Sequence, residues 1–88
     1  MPIPKACALK QPTVGQFVRE LRQLMGSTQE QFAHQLGVSY ETVSRWENGK
    51  MQPSPLAFRQ IEQVALTSAP GQTLLGQYGL LSPDEEQE

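Results

Sequence analysis

The chain is 88 residues long, 38% hydrophobic, with one cysteine and a formal net charge of -2. That length suits one small domain rather than a catalytic unit joined to a regulatory one. The lone Cys7 excludes an internal disulfide, and no apolar run approaches the roughly 18 residues that a membrane-spanning helix needs. The negative sum hides an asymmetry. Residues 1–66 carry all seven basic side chains (Lys5, Lys10, Arg19, Arg22, Arg45, Lys50, Arg59) against Glu20, Glu30, Glu41, Glu47 and Glu62, a balance of +2. Residues 67–88 carry only Asp84, Glu85, Glu86 and Glu88, a balance of -4. The acidity thus belongs to the tail, and the remainder has a small positive excess whose attraction for phosphates is modest and salt-sensitive.

Residues 1–12 read as an arm, because Pro2, Pro4 and Pro12 forbid a helix. The same prolines break the hydrophobic stretch that a signal peptide needs, so a cytoplasmic protein is expected. The arm is either a disordered leader or a segment that packs on a partner subunit or brings Lys5 and Lys10 to phosphates. A first helix is predicted from Thr13 to Met25. Thr13 and Gln16 are spaced as a capping box, and Val14, Phe17, Val18, Leu21, Leu24 and Met25 make one apolar face. Gly26 stops it.

From Thr28 to Lys50 the pattern is helix, turn, helix, turn. Thr28 and Gln31 form a second capping box, Phe32, Ala33 and Leu36 face inward, and Ser39 caps the next helix after the Gly37-Val38 corner. His34 reads as a solvated residue, with no second ligand at metal spacing. The third helix, Tyr40 to Glu47, offers only Val43 and Trp46 to a core and leaves Tyr40, Glu41, Thr42, Ser44 and Arg45 at its outer face or edge. Such a face is either an ordinary solvated one or a set of hydrogen-bonding groups shown to a groove. The turn at Asn48-Gly49 ends it.

A fourth helix is expected from Pro55 or Leu56 to Thr67, with Pro55 suited to its first turn. Ser68-Ala69-Pro70-Gly71 reads as a break. The segment Gln72 to Leu81 carries Leu74, Leu75, Tyr78, Leu80 and Leu81. It is either a one- or two-turn helix that closes the core or a small dimer contact anchored by Tyr78. Residues 82–88 are an acidic, solubilising tail, so the domain proper is expected over residues 13–81.

The run TQEQFA..LGVS..TVSRWENGK..PS, within Val14 to Leu66, resembles the helix-turn-helix family of the lambda-type (Cro/C1-type) repressors and xenobiotic-response-element-like regulators. The resemblance implies an all-α, compact four- to five-helix domain that binds operator DNA, usually as a homodimer, with the third helix reading the major groove. Carried over by position, it implies that Tyr40, Glu41, Ser44 and Arg45 face base edges. It places Thr28, Gln29, Ser39, Thr42, Asn48 and Lys50 near the backbone, Thr42 also within reach of a thymine methyl. It makes Arg22 and Glu47 a structural pair and Trp46 a core residue. Arg45 suits guanine, whereas Glu41 either accepts from cytosine or orients Arg45 four residues on.

Few basic residues make dimerisation close to a requirement for tight binding. No catalytic constellation, metal site or cofactor loop is present in the sequence, which argues against an enzyme. The competing reading is a protein-interaction module, antitoxin-like or docking on the transcription machinery. The low positive charge and the leucine-rich segment favour that reading.

Overall fold

Five helices and no strand make up residues 9–80, the residues described by the computed structural model: α1 (Thr13–Leu24), α2 (Gln29–Leu36), α3 (Tyr40–Glu47), α4 (Pro55–Leu66) and α5 (Ala69–Gln77). The all-α expectation holds, at the upper helix count. The predicted arm up to residue 8, Leu81 and the acidic tail lie outside the described residues.

Local chemistry explains most of the boundaries. Thr28 and Gln31 form the predicted reciprocal box: Thr28 Oγ1 accepts from the Gln31 N–H at 3.0 Å, and Gln31 Oε1 accepts from the Thr28 N–H at 2.9 Å. Ser39 Oγ accepts from the Thr42 N–H at 3.1 Å and starts α3. Between the two helices Gly37 takes φ +75°, a left-handed conformation that ends α2 without steric cost. Ser54 caps α4 through the Ala57 N–H, with Pro55 in the first turn, where a missing N–H costs nothing.

Two boundary expectations fail, and Leu24, placed on the apolar face of α1, is 50% exposed. The box at Thr13 and Gln16 does not form, because Thr13 already lies inside α1 and Pro12, at the cap position, has no side-chain acceptor. Gln11 takes over that role, its Oε1 accepting from the Gly15 N–H at 3.1 Å. The predicted break at residues 68–71 is instead the start of α5. Ser68 Oγ accepts from the Gly71 N–H at 3.1 Å, and Pro70 sits in the first turn, where proline is tolerated. Gly71 has no Cβ, and one would overlap the Ala65 carbonyl, so α5 leaves α4 through a very tight corner.

The core gathers the inner faces of all five helices. Phe17, fully buried, lies between Phe58, centroid distance 6.1 Å, and Tyr78, at 5.1 Å and edge-on. Phe32, Val43, Trp46 and Ile61 are the other large buried side chains of α2, α3 and α4 in this core, Trp46 with 2% exposure. Leu74, Leu75 and Leu80 are 3%, 1% and 4% exposed within the single chain. Of the two readings of this segment, the core-closing helix is therefore the observed one. These leucines are not available as a dimer contact, and Tyr78 is half-buried with its hydroxyl donating to Glu20 at 2.8 Å.

Candidate nucleic-acid interface

α3 has two faces of different character. Val43, Trp46 and Glu47, at spacings of three and four, form a buried stripe. On the other side Tyr40, 51% exposed, Glu41 and Arg45 project outward, and their side chains make no hydrogen bond or ion pair with the described residues. The suggested ion pair from Glu41 to Arg45 is not formed. Ser44 and Thr42 are half-buried and already engaged: Asn48 Nδ2 donates to Ser44 Oγ at 3.2 Å, and the hydroxyls of Ser39 and Thr42 share a 2.8 Å bond. Lys50 is exposed on the turn beyond α3. The outward set is thus divided into three free side chains and flanking polar groups held in place.

Beside the apolar contacts of Val43 and Trp46, a polar cluster holds this helix against α1. The Glu47 side chain has no exposed surface, yet four donor atoms reach its two oxygens. Arg22 Nε donates to Oε2 at 2.7 Å and Nη2 to Oε1 at 3.1 Å, while Nη1 donates to the Ser27 carbonyl at 3.0 Å. Gln29 Nε2 adds a bond to Oε1 at 3.0 Å, and Arg19 reaches Oε1 at 3.5 Å and the Glu47 carbonyl at 3.4 Å. Burial alone would raise the pKa of Glu47. The bonds from Arg22, Gln29 and Arg19 outweigh it and hold the carboxyl below its ordinary range. The same bond to Glu47, working against burial, raises Arg22 above its usual value. Gln29, which the family resemblance assigns to a phosphate, is therefore also part of the scaffold.

Arg22, Thr28, Gln29, Glu30 and Tyr40 line one shallow depression where the start of α2 faces the start of α3. This brings together the N-terminal members of the expected backbone set and one of the expected base-facing residues. Asn48 and Lys50 stand at the far end of α3.

Sequence reasoning missed Gln11, Gln52 and the contribution of Arg19. Gln11 Nε2 donates to both the Trp46 and the Met51 carbonyls at 2.8 Å. The Gln11 N–H donates to Gln52 Oε1 at 3.2 Å, and Gln52 Nε2 donates to the Leu9 carbonyl at 2.8 Å. Partners 35 to 43 residues away leave no local signature. Gly15 was the available clue: a glycine in the apolar register of a helix marks a close approach, and here a Cβ would overlap the Trp46 carbonyl. Among the described residues no three His, Cys, Asp or Glu side chains could hold a metal ion.

A helix-turn-helix profile matches residues 18–65, more than half of the chain. The chain belongs to the helix-turn-helix family. The match spans α2, the Gly37 corner and α3, together with most of α1 and α4. The helix-turn-helix domain is a non-catalytic regulatory module suited to binding DNA or protein. No curated protein and no solved structure matches the chain. No helix among the described residues is long and apolar enough to cross a membrane.

Proposed function

We propose that this helix-turn-helix domain is a sequence-specific transcriptional regulator of the lambda-type repressor group that inserts α3 into the major groove of double-stranded DNA. The observation that carries the reading is the division of α3: its inner stripe is locked through Val43, Trp46 and Glu47, while Tyr40, Glu41 and Arg45 stand exposed with no competing partner among the described residues. Arg45 gives paired donors to guanine O6 and N7, Glu41 accepts from cytosine N4, and Tyr40 packs on a thymine methyl. Ser44 joins them only by exchanging its bond with Asn48. Thr28, Gln29, Ser39, Thr42, Asn48 and Lys50 contact the backbone and fix register.

The positive balance is too small for strong binding by one copy, so two copies act together on a two-fold site. With Leu74, Leu75 and Leu80 in the core, the large exposed apolar side chains among the described residues that lie outside α3 and could serve that contact are Leu24, Leu56 and Leu66. The test is selection of bound duplexes from a random pool, followed by gel shift of the selected site against scrambled sequence at low and moderate salt. A two-fold consensus supports the reading, and binding indifferent to sequence overturns it.

A protein partner is the second reading, and one feature favours it. Glu20, Gln23, Leu24, Pro70, Thr73 and Gln77 line a groove between α1 and α5, around α1 from the side that meets α3. Stoichiometric co-purification of a second protein, lost on Leu24→Asp, would move the assignment there.

A further inference from the structure

The clasp around Gln11 has no part in the reading above, and it joins two places that matter to it. Carbonyls in the last turn of a helix lack intrahelical donors and must find others. Here the Trp46 carbonyl, in the last turn of α3, accepts from the Gly49 N–H at 3.2 Å and, with the Met51 carbonyl beyond the turn, shares a second donor group, the Gln11 side-chain NH2. Between those carbonyls lie Glu47, Asn48, Gly49 and Lys50. The other end of the same amide accepts from the Gly15 N–H, inside α1, and Gly15 lacks the Cβ that would push α3 away. Gln52 returns two bonds to the backbone of Leu9 and Gln11, closing the clasp from the loop side. The turn is thereby hooked to the start of α1 as well as to α3.

We infer that Gln11 is a positioning residue for phosphate contact: it fixes the turn carrying Asn48 and Lys50 at the height on the DNA backbone that lets α3 seat in the groove. This rests on the DNA-binding reading and adds to it a residue outside both helices of the motif. The direction of the effect follows from its location. Tyr40 and Glu41 lie at the opposite end of α3, and Arg45, though near the clasp, projects from a helix that buried Val43, Trp46 and Glu47 hold in place, so loss of the clasp disturbs the turn's backbone contacts and leaves base preference intact.

Gln11→Glu is the variant of choice. It has the same size and keeps an acceptor for the Gly15 N–H, but it loses both donors and sets a carboxylate against two carbonyl oxygens. Gln11→Met removes the donors without adding charge and serves if the first variant does not fold. Ile61→Val, in the core of α4, is the control for a plain loss of stability. Expected for the Gln11 variants, per folded molecule, is a three- to tenfold loss of affinity, about equal on the selected site and on random duplex. The salt dependence should flatten by about one ion, and amide resonances should shift over residues 46–52. Ile61→Val should leave the affinity of the folded protein and its salt dependence unchanged. Wild-type affinity and salt dependence in the folded Gln11 variants overturn this inference alone, as does a loss confined to the selected site. A wild-type protein that binds no duplex overturns the DNA reading itself.

Discussion

Arg22 closes a two-point grip on Glu47, with Nε 2.7 Å from one carboxylate oxygen and Nη2 3.1 Å from the other, and the carboxylate beneath it is wholly buried. Cutting one side of such a pair leaves an unmatched charge out of water, which costs more than the pair itself contributes. Arg22→Met is therefore expected to lower unfolding free energy by about 3–5 kcal/mol in urea titrations. The double variant Arg22→Met, Glu47→Leu should recover much of that loss, although Gln29 then loses its carboxylate acceptor and Arg19 keeps only the backbone carbonyl. A double variant no better than the single one would show that geometry, not the stranded charge, sets the cost.

The same carboxylate makes stability depend on acid. Its folded pKa lies below the unfolded value, so on acidification the unfolded chain takes up the proton first. The contribution is complete above the ordinary carboxylate range and is lost as pH falls through that range and on through the lowered folded value. Glu47→Gln should be less stable than wild type near neutrality. The gap should narrow steadily as pH falls, read from unfolding free energies at matched pH.

At the alkaline end the sign reverses. Burial first, and then the bond to Glu20 and its charge, push the Tyr78 hydroxyl up to about 12. The unfolded chain releases this proton near the ordinary value of about 10, so between the two values rising pH favours unfolding. Tyr78→Phe should remove that part of the alkaline slope. The difference between wild-type and variant phenolate absorbance should show one tyrosine titrating late.

Three helical glycines should answer alanine in opposite ways. A Cβ at Gly15 overlaps the Trp46 carbonyl and one at Gly71 overlaps the Ala65 carbonyl, so both substitutions should destabilise by about 1–3 kcal/mol. Gly76 in α5 has open space around it, and Gly76→Ala should stabilise by about 0.4–1 kcal/mol by restricting the unfolded chain. Thermal unfolding of the three variants checks the order.

On DNA, the proposed roles predict a split between two cations. Arg45→Ala should weaken the selected site by about 1–3 kcal/mol and relax preference at one base pair. Lys50→Ala should weaken all sequences alike and flatten the salt dependence. Equal losses on selected and random duplex for Arg45→Ala would remove its base-reading role.

What was legible in the sequence was whatever depends on near neighbours. The Thr28–Gln31 box, the Ser39 cap and the left-handed Gly37 each follow from residues within a few positions, and the inward stripe of α3 follows from its spacing. The Arg22–Glu47 pair was reached only through family resemblance, since a 25-residue separation carries no local signal. Capping logic failed at Thr13, where Gln11 supplied the acceptor from outside the helix. Turn logic failed at residues 68–71, where Pro and Gly sit in a helical first turn that tolerates one and, through the contact with Ala65, requires the other. The leucine-rich segment was open between core and surface because an apolar run looks the same in both settings until its neighbours are known.

The exposed side chains of α3 owe nothing to the integrity of the fold. Tyr40, Glu41 and Arg45 have no bond within the described chain to lose, so exchanging them falls among surface substitutions that usually shift stability by about 0.5 kcal/mol or less. On the proposed reading, a lineage carrying this scaffold can drift from one target to another through viable intermediates, each folding as well as the last. Single exchanges in the Glu47 cluster carry a stability cost that those on the outer face do not. Over evolutionary time the molecule is a rigid holder with an interchangeable face.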